Sequence, residues 1–336
     1  MQYSITQLTG QYKSQGRVTI INNVLLLDYS ACGMEFEAIG GGRLAVTFTA
    51  YAVKSGALGG CYFTVWLDGV RLPRTCCHIT EVGVTTVVLA ENLPQGNHTV
   101  EIYRQTEGEW ARIGISAVEW NGRFRRPTNA AHYIEFVGDS ITTAFGNLVE
   151  NGNETFRNPI WQDATMGYAF LTAKALGVDF STVARQGIGA SVGWQPVPMQ
   201  VAYPYRCHHA DSTELYDFAR QPDLVVIALA TNDMTAYDNE ALGNHKTLAE
   251  VAQGFAEFLR LIREKNPKAK IVWAHGRMLS SADDMIARVI EEAGGAAEGY
   301  YHVMLPRNND GGQGHPYHTG HAEMAEVLTE FLKNLL

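Results

Sequence analysis

The residues best suited to chemistry stand in four separated stretches. The first is Tyr133-Ile134-Glu135-Phe136-Val137-Gly138-Asp139-Ser140-Ile141-Thr142, an apolar alternating run that stops at Gly-Asp-Ser. Tyr133, Phe136 and Val137 bias it toward a buried strand, Gly138 permits a sharp exit, and Asp139 and Ser140 are favoured where a helix begins. Ser140 is therefore expected at the carboxyl edge of a sheet, facing the positive end of a helix macrodipole, where open α/β sheets bind ligands. The plainer alternative is that Ser140 only caps a helix. Ala184-Arg185-Gln186-Gly187-Ile188-Gly189 is a glycine-bearing loop after Val178 to Val183, also readable as a simple turn. Ala230-Thr231-Asn232-Asp233 follows the apolar run Leu224 to Leu229, and Asn232 there is equally a cap or turn residue. The fourth stretch, Gly311 to His321, sets His315 before Pro316 in a glycine loop, a poor position for a core histidine. A serine hydroxyl is a weak nucleophile until a base within hydrogen-bond reach takes its proton, and histidine titrates closest to neutral pH.

Two competing signals point elsewhere. Gly189-Ala190-Ser191-Val192-Gly193 fits G-x-S-x-G, but that elbow needs a strand directly before it and a helix directly after. Arg185-Gln186-Gly187 intervenes on one side, and Pro196 and Pro198 forbid a helix on the other. His315, His318 and His321, with Cys207, His208 and His209, invite a zinc reading. Their spacing in a glycine-proline loop lacks the H-x-x-x-H helix face of zinc hydrolases, so no metal is expected.

The elements that must position these residues fall into two groups. Up to Trp120, strand-like runs recur between turn signals: Val18 to Asn22, Val24 to Tyr29, Met34 to Ala38, Leu44 to Ala50, Cys61 to Leu67, Thr85 to Ala90, Thr99 to Arg104 and Ile113 to Trp120. Asp68-Gly69 is a strong hairpin turn. This rhythm predicts a two-sheet β-sandwich of jelly-roll type over residues 1–120, either touching sugar or only supporting its neighbour. Residues 121–131, polar and carrying Gly122 and Pro127, read as a linker. From 132 to 336 the pattern alternates, with strands at His132 to Val137, Val178 to Ala184, Leu224 to Leu229, Ile271 to Ala274 and Tyr301 to Leu305. Helices are predicted over Ala164 to Leu176, Thr247 to Glu264, Ala282 to Ala293 and His321 to Leu335. Such an order implies a parallel sheet covered on both faces, a flavodoxin-like three-layer α/β domain.

Length and composition agree with two ordinary cores, since 336 residues exceed the roughly 100 to 200 expected of one domain. A net charge of -9 argues against nucleic acid and leaves a neutral or weakly charged substrate easier to admit. No apolar run of about 18 residues exists, so no membrane span is expected. Met1-Gln2-Tyr3-Ser4 lacks the features of a secretory signal, and five cysteines are an odd number including the vicinal pair Cys76-Cys77. A reducing, cytoplasmic compartment is the simpler expectation; a secreted protein whose signal had been removed would read the same.

Together the four blocks resemble the GDSL-type or SGNH hydrolases, named for a Ser, a Gly, an Asn and a His in separate blocks. The resemblance covers Tyr133 to the carboxyl terminus. It implies that Ser140 is the nucleophile, that the amide of Ser140, Gly187 (with Gly189 the alternative) and Asn232 donate to the oxyanion, and that His315 is the general base. A narrower resemblance takes in the whole chain. An amino-terminal jelly roll, Arg104-Gln105-Thr106-Glu107, the run Ile134 to Thr142 and Phe145-Gly146-Asn147 are similar to carbohydrate esterase family two. That family removes acetyl groups from plant polysaccharides such as xylan and glucomannan, so an acetylated oligo- or polysaccharide is the implied partner, with no cofactor.

The chain departs from the family at one point. The wider family carries Asp three residues before the histidine, where Gly312 stands, and family two often has Asp two before, where Gln313 stands. Asp310 reaches the imidazole only if the glycine loop folds sharply. The expectation is a dyad, oriented by the Gln313 side chain or a backbone carbonyl. Trp161, Trp194 and Trp273 lie in or beside loops and are candidates to stack on sugar rings, against ordinary packing. The leading function is a carbohydrate acetylesterase. An acyltransferase using the same acetyl-serine and a carbohydrate-binding protein with an inactive hydrolase domain are the alternatives.

Overall fold

The computed structural model describes residues 1–54, 59–153, 158–207, 214–276, 278 and 281–336. Two compact units emerge: Met1–Asn129 with Arg157–Thr165 and Cys207–Ser212, and Ala130–Phe156 with Met166–Arg206 and Thr213–Leu336.

The first unit is an antiparallel sheet. Asn22 and Asn23, both at positive φ, turn Val18–Ile21 back onto Val24–Leu27, and Asp68-Gly69 does the same between Cys61–Leu67 and Val70–Arg71. Positive φ at both central residues matches the twist of the flanking strands. The sequence predicts separate strands around Met34 to Ala38 and Leu44 to Ala50, and around Thr85 to Ala90 and Thr99 to Arg104. Each pair instead belongs to one long strand, Gly33–Val53 and Gly83–Arg104. These two pair along most of their length, with register shifts at Gly40 to Ala45 that bend the ladder without ending it. Ala111–Glu119 lies on the other side of Gly33–Val53. The inner face is apolar, with Phe36, Phe48, Phe63, Ile102, Ile115 and Trp120 all buried.

The second unit is a five-stranded parallel sheet: β1 (Tyr133–Gly138), β2 (Asp179–Ala184), β3 (Leu224–Ala228), β4 (Lys270–His275) and β5 (Tyr300–Met304). Every residue of β1, β2 and β3 is buried, as expected of a sheet covered on both faces. The order is β2-β1-β3-β4-β5, which puts the change of winding direction between β1 and its neighbours. In such sheets the crevice beyond the strand ends at that point is the ligand site. The helices are α1 (Tyr168–Leu176), α2 (Met199–Ala202), α3 (Thr231–Ala236), α4 (Leu248–Lys265), α5 (Asp283–Glu292) and α6 (His318–Leu332). Helix α4 starts on a capping box of Thr247 and Glu250 and buries Val251, Phe255, Phe258, Leu259 and Ile262, one face of a 3.6-residue period. The predicted helix from Ala164 is broken at Gly167, so that Ala164–Met166 forms a separate 3₁₀ turn. No helix among the described residues is long and apolar enough to cross a membrane.

Candidate active site

Register brings three of the four stretches to one edge. Gly138, the last residue of β1, is paired with Ala184 of β2 and with Ala228 of β3, so the loops after all three strands leave the sheet side by side. Those loops carry Ser140, Gly187 and Asn232. Gly138 is required by its surroundings: a Cβ there would lie 1.9 Å from Thr142 Oγ1. Beyond it the chain makes a run of turns, in which Phe145 N donates to Ser140 O at 2.9 Å and Thr143 Oγ1 to the same oxygen at 2.9 Å. The expectation of a helix opening at Ser140 is therefore corrected. Asp139 and Ser140 favour turns for the same reason they favour caps, since short polar side chains bond nearby backbone amides, and Ile141 N donates to Asp139 Oδ1 at 2.9 Å.

The fourth stretch reaches Ser140 through the backbone. Gly312 N donates to Gly146 O at 2.9 Å, Asn151 N to Asp310 O at 2.8 Å, and His318 N to Asn147 O at 2.9 Å, pinning the loop before α6 onto the turns after Ser140. His315 then stands against the edge of Phe145, ring centroids 4.9 Å apart, with Nε2 2.8 Å from Ser140 Oγ. Its Nδ1 lies 3.1 Å from Gly312 O. A carbonyl only accepts, so Nδ1 carries the proton and the Nε2 lone pair faces the serine hydroxyl. Asp310 is placed otherwise: its carboxylate accepts from Asn308 Nδ2 at 2.8 Å. Gln313 adopts a left-handed conformation, φ 52°, that lets the loop double back and present the Gly312 carbonyl. Of the orienting groups considered from sequence, a backbone carbonyl occupies the position, rather than the carboxylate of Asp310.

Asn232 lies in the first turn of α3, 8% exposed, and its Nδ2 donates to Ile188 O at 2.9 Å. That bond sets Asn232 against the loop carrying Gly187, whose own carbonyl accepts from Trp194 N at 2.8 Å. The amide has a second hydrogen to offer. The residue before it, Thr231, follows Ala230 at φ 126°, a conformation costly for a residue with a Cβ.

Asp233 is a residue beside Asn232 that sequence reasoning did not single out. It is fully buried, and its carboxylate accepts from the backbone amides of Ala190 (2.8 Å), Ser191 (2.8 Å) and Val192 (3.0 Å) and from Ser191 Oγ at 3.3 Å. Burial raises its pKa from the ordinary aspartate value, opposed by those same amides. The G-x-S-x-G segment is thus a loop folded around an acid, and Ser191 is spent on it. The signal available in the sequence was an acid beside Asn232 directly after a fully apolar strand.

The three tryptophans separate. Trp194 is 49% exposed, with its indole N–H held by Thr235 Oγ1 at 3.0 Å. For Trp273 the candidate sugar contact gives way to the alternative of ordinary packing: it is fully buried, donates to Leu229 O at 3.0 Å and packs on Phe255 and Phe258. It lies on β4 with its ring in the layer between sheet and α4, which no sugar reaches. Trp161 belongs to the first unit, in a 3₁₀ turn opened by Asn158. Of the histidines weighed as zinc ligands, His321 is buried, its Nδ1 accepting from Tyr168 N at 3.2 Å, while His208 and His209 lie outside the described residues. Among the described residues no group of three His, Cys, Asp or Glu side chains is arranged to hold a metal ion.

Comparison with known proteins adds to this geometry. Cellulase/esterase CelE of Acetivibrio thermocellus is 28% identical over 307 residues, 86% of this chain and 36% of that protein, so the chain spans about a third of that relative's length. An acetylxylan esterase/glucomannan deacetylase of Cellvibrio japonicus is 25% identical over 264 residues, 75% of this chain and 71% of that one. The structure of a family two carbohydrate esterase from Clostridium thermocellum in complex with cellohexaose superposes with a TM-score of 0.83 at 25% identity, covering 96% of this chain and 98% of that one. Residues 136–331 match the description of the GDSL-like Lipase/Acylhydrolase family, a span that takes in Ser140, Gly187, Asn232 and His315. With more than half of its length inside that match, the chain belongs to the GDSL-like lipase/acylhydrolase family.

Proposed function

We propose that this chain is a carbohydrate O-acetylesterase acting on acetylated hemicellulose, of the mannan or xylan type, or on oligosaccharides derived from it. The observation that carries the reading is the 2.8 Å contact between Ser140 Oγ and the unprotonated Nε2 of His315, with Nδ1 on Gly312 O. As Ser140 Oγ attacks the acetyl carbonyl, its proton passes to Nε2 and the carbonyl π electrons move onto oxygen. The amides of Ser140 and Gly187 and the side chain of Asn232 are the donors assigned to that oxyanion. Collapse breaks the bond to the sugar oxygen, which takes the proton from Nε2 and leaves acetyl-Ser140. Water then attacks with His315 again as base, releasing acetate. The names of the relatives from Acetivibrio and Cellvibrio support the substrate class.

The exposed indole of Trp194, beside Gly187, is read as a platform for a sugar ring, and the curled antiparallel sheet of the first unit as a jelly roll. Acetate release from acetylated mannan, acetylated xylan and a synthetic aryl acetate tests the function. Ser140→Ala that still releases acetate at the native rate overturns it.

A further inference from the structure

The segment 189–193 is built around Asp233 from several sides. Three successive amides, of Ala190, Ser191 and Val192, converge on one carboxylate, a concave arrangement of N–H groups of the kind that binds anions. Outside this ring, Lys246 Nζ donates to Ser191 O at 2.8 Å, and α4 carries Gly254 where the loop presses on it: a Cβ at Gly254 would lie 2.2 Å from Ser191 Cβ. Met199 N and Gln200 N, in α2, donate to the carbonyls of Gly189 and Ala190 at 2.8 and 3.2 Å. Asp233 is next in sequence to Asn232, whose amide is bonded to Ile188 O of the same loop. One turn of α3 thus grips the loop twice, once through each side chain.

We propose that Asp233 is a positioning residue of the oxyanion hole: its carboxylate is the anion around which residues 189–193 fold, and it fixes the Gly187 loop relative to Asn232. Asp233 does not touch the reacting atoms. It acts by removing the freedom of the loop and of α3 to separate, so that donors from two different strand ends arrive already in place. Preorganised donors stabilise an oxyanion because nothing reorganises during the reaction. The proposal rests on the esterase reading for its kinetic consequences and on geometry alone for its contacts.

The test uses the full chain and an aryl acetate. Asp233→Asn keeps the shape but sets an NH₂ group against the ring of N–H donors. The expected result is a fall in kcat of about 10²-fold, the scale of losing one oxyanion donor, with KM changed less than about threefold. In an Asn232→Ala background the same substitution is expected to cost less than about threefold more, because both act through one hole and coupled residues are not additive. A merely structural Asp233 would instead multiply its loss unchanged into that background, and this outcome, or kcat within about threefold of the native enzyme, overturns the proposal. Hydrogen exchange of the native protein judges the contacts without the variant: the amides of Ala190, Ser191 and Val192 are expected to be protected like sheet amides although they lie in a loop. Exchange at the rate of exposed loops overturns the proposal even if Asp233→Asn fails to fold. Failure of the esterase reading is distinct, since it shows as activity surviving Ser140→Ala.

Discussion

Nε2 of His315 and Oγ of Ser140 lie 2.8 Å apart although 175 residues separate them in the chain. Ser140→Ala removes the attacking oxygen and is expected to lower aryl-acetate hydrolysis at least about 10³-fold with an unchanged circular dichroism spectrum. Ser191→Ala, in the competing motif, loses a hydroxyl bonded only at 3.3 Å to Asp233 and should stay within about tenfold of native activity. Reversal of this order would move the nucleophile to Ser191.

The carbonyl of Gly312 accepts from Nδ1 of His315, while the carboxylate of Asp310 is engaged with Asn308. Asp310→Asn should therefore change kcat less than about tenfold, where the isosteric change in the serine-protease triad costs about 10⁴. Gln313→Asp tolerates the left-handed backbone at that position and introduces a carboxylate near the imidazole. If the carboxylate reaches the ring, the acid limb of the pH-rate profile moves to higher pH. A collapse of activity in Asp310→Asn with the fold intact would contradict the carbonyl-held dyad.

Trp194→Ala removes an indole that is half exposed and held edge-on by Thr235. On the scale of an aromatic contact, about 0.5 to 1.5 kcal/mol, KM for acetylated oligosaccharide should rise roughly 2- to 10-fold, with the aryl acetate unaffected. Equal KM values for the oligosaccharide would remove Trp194 from the binding surface.

Ala230 stands at φ 126°, immediately before the turn of helix that bears Asn232. Glycine adopts that conformation freely, so Ala230→Gly should stabilise the protein by about 1 kcal/mol, the relief of strain less the added freedom of the unfolded chain. Thermal unfolding checks this, with an increase of about 2 to 4 °C expected for a unit of this size. A lower melting temperature would show that the surroundings relieve the strain in another way.

In the first unit, His98 places Nδ1 2.8 Å from Asp68 Oδ2 and Nε2 2.9 Å from Pro94 O. Both partners only accept, so the imidazolium satisfies both, and the bond to Asp68 raises the pKa of His98 above its ordinary value. A folded-state pKa above the unfolded one gives stability that is fully present below the unfolded value and is lost as pH rises through the folded one. Asp68→Asn preserves the Asn-Gly type of hairpin turn and removes the charge. It should lower the melting temperature at pH 5.5 and leave it nearly unchanged at pH 8.5; equal losses at both would place the effect in the turn.

How much of this was legible follows from which interactions are local. β1, β2 and β3 stand out because a strand buried on both faces is an unbroken apolar run. The long strands of the first unit do not, since Gly40 to Gly42 and Pro94 to Gly96 look like turns while pairing across the ladder, Gly40 with Gly96 and Gly42 with Leu93. Helix α3 is too short to show a period. Packing and sugar contact stayed open for Trp273 because a residue's nearness to a strand end does not say which face its ring takes. Ser140 and His315 were recoverable from their settings, whereas Asp233 was marked only by its place beside Asn232 after an apolar strand, its partners being amides about 40 residues away along the chain. The Gly312 carbonyl was legible only as one of several options, since every residue of a loop has one.

The pairing of Ser140 with His315 makes the proposed hydrolysis depend on a contact between distant parts of the chain. Closing a loop of this span is entropically unfavourable until the intervening β2 to β5 have assembled, because long-range contacts return nothing until the loop has closed. The serine turn has its own local bonds, whereas the base is held by bonds between the loop before α6 and Gly146, Asn147 and Asn151. During refolding, ester hydrolysis is therefore expected to lag behind the recovery of secondary structure, a delay measured by following acetate release and far-ultraviolet circular dichroism together.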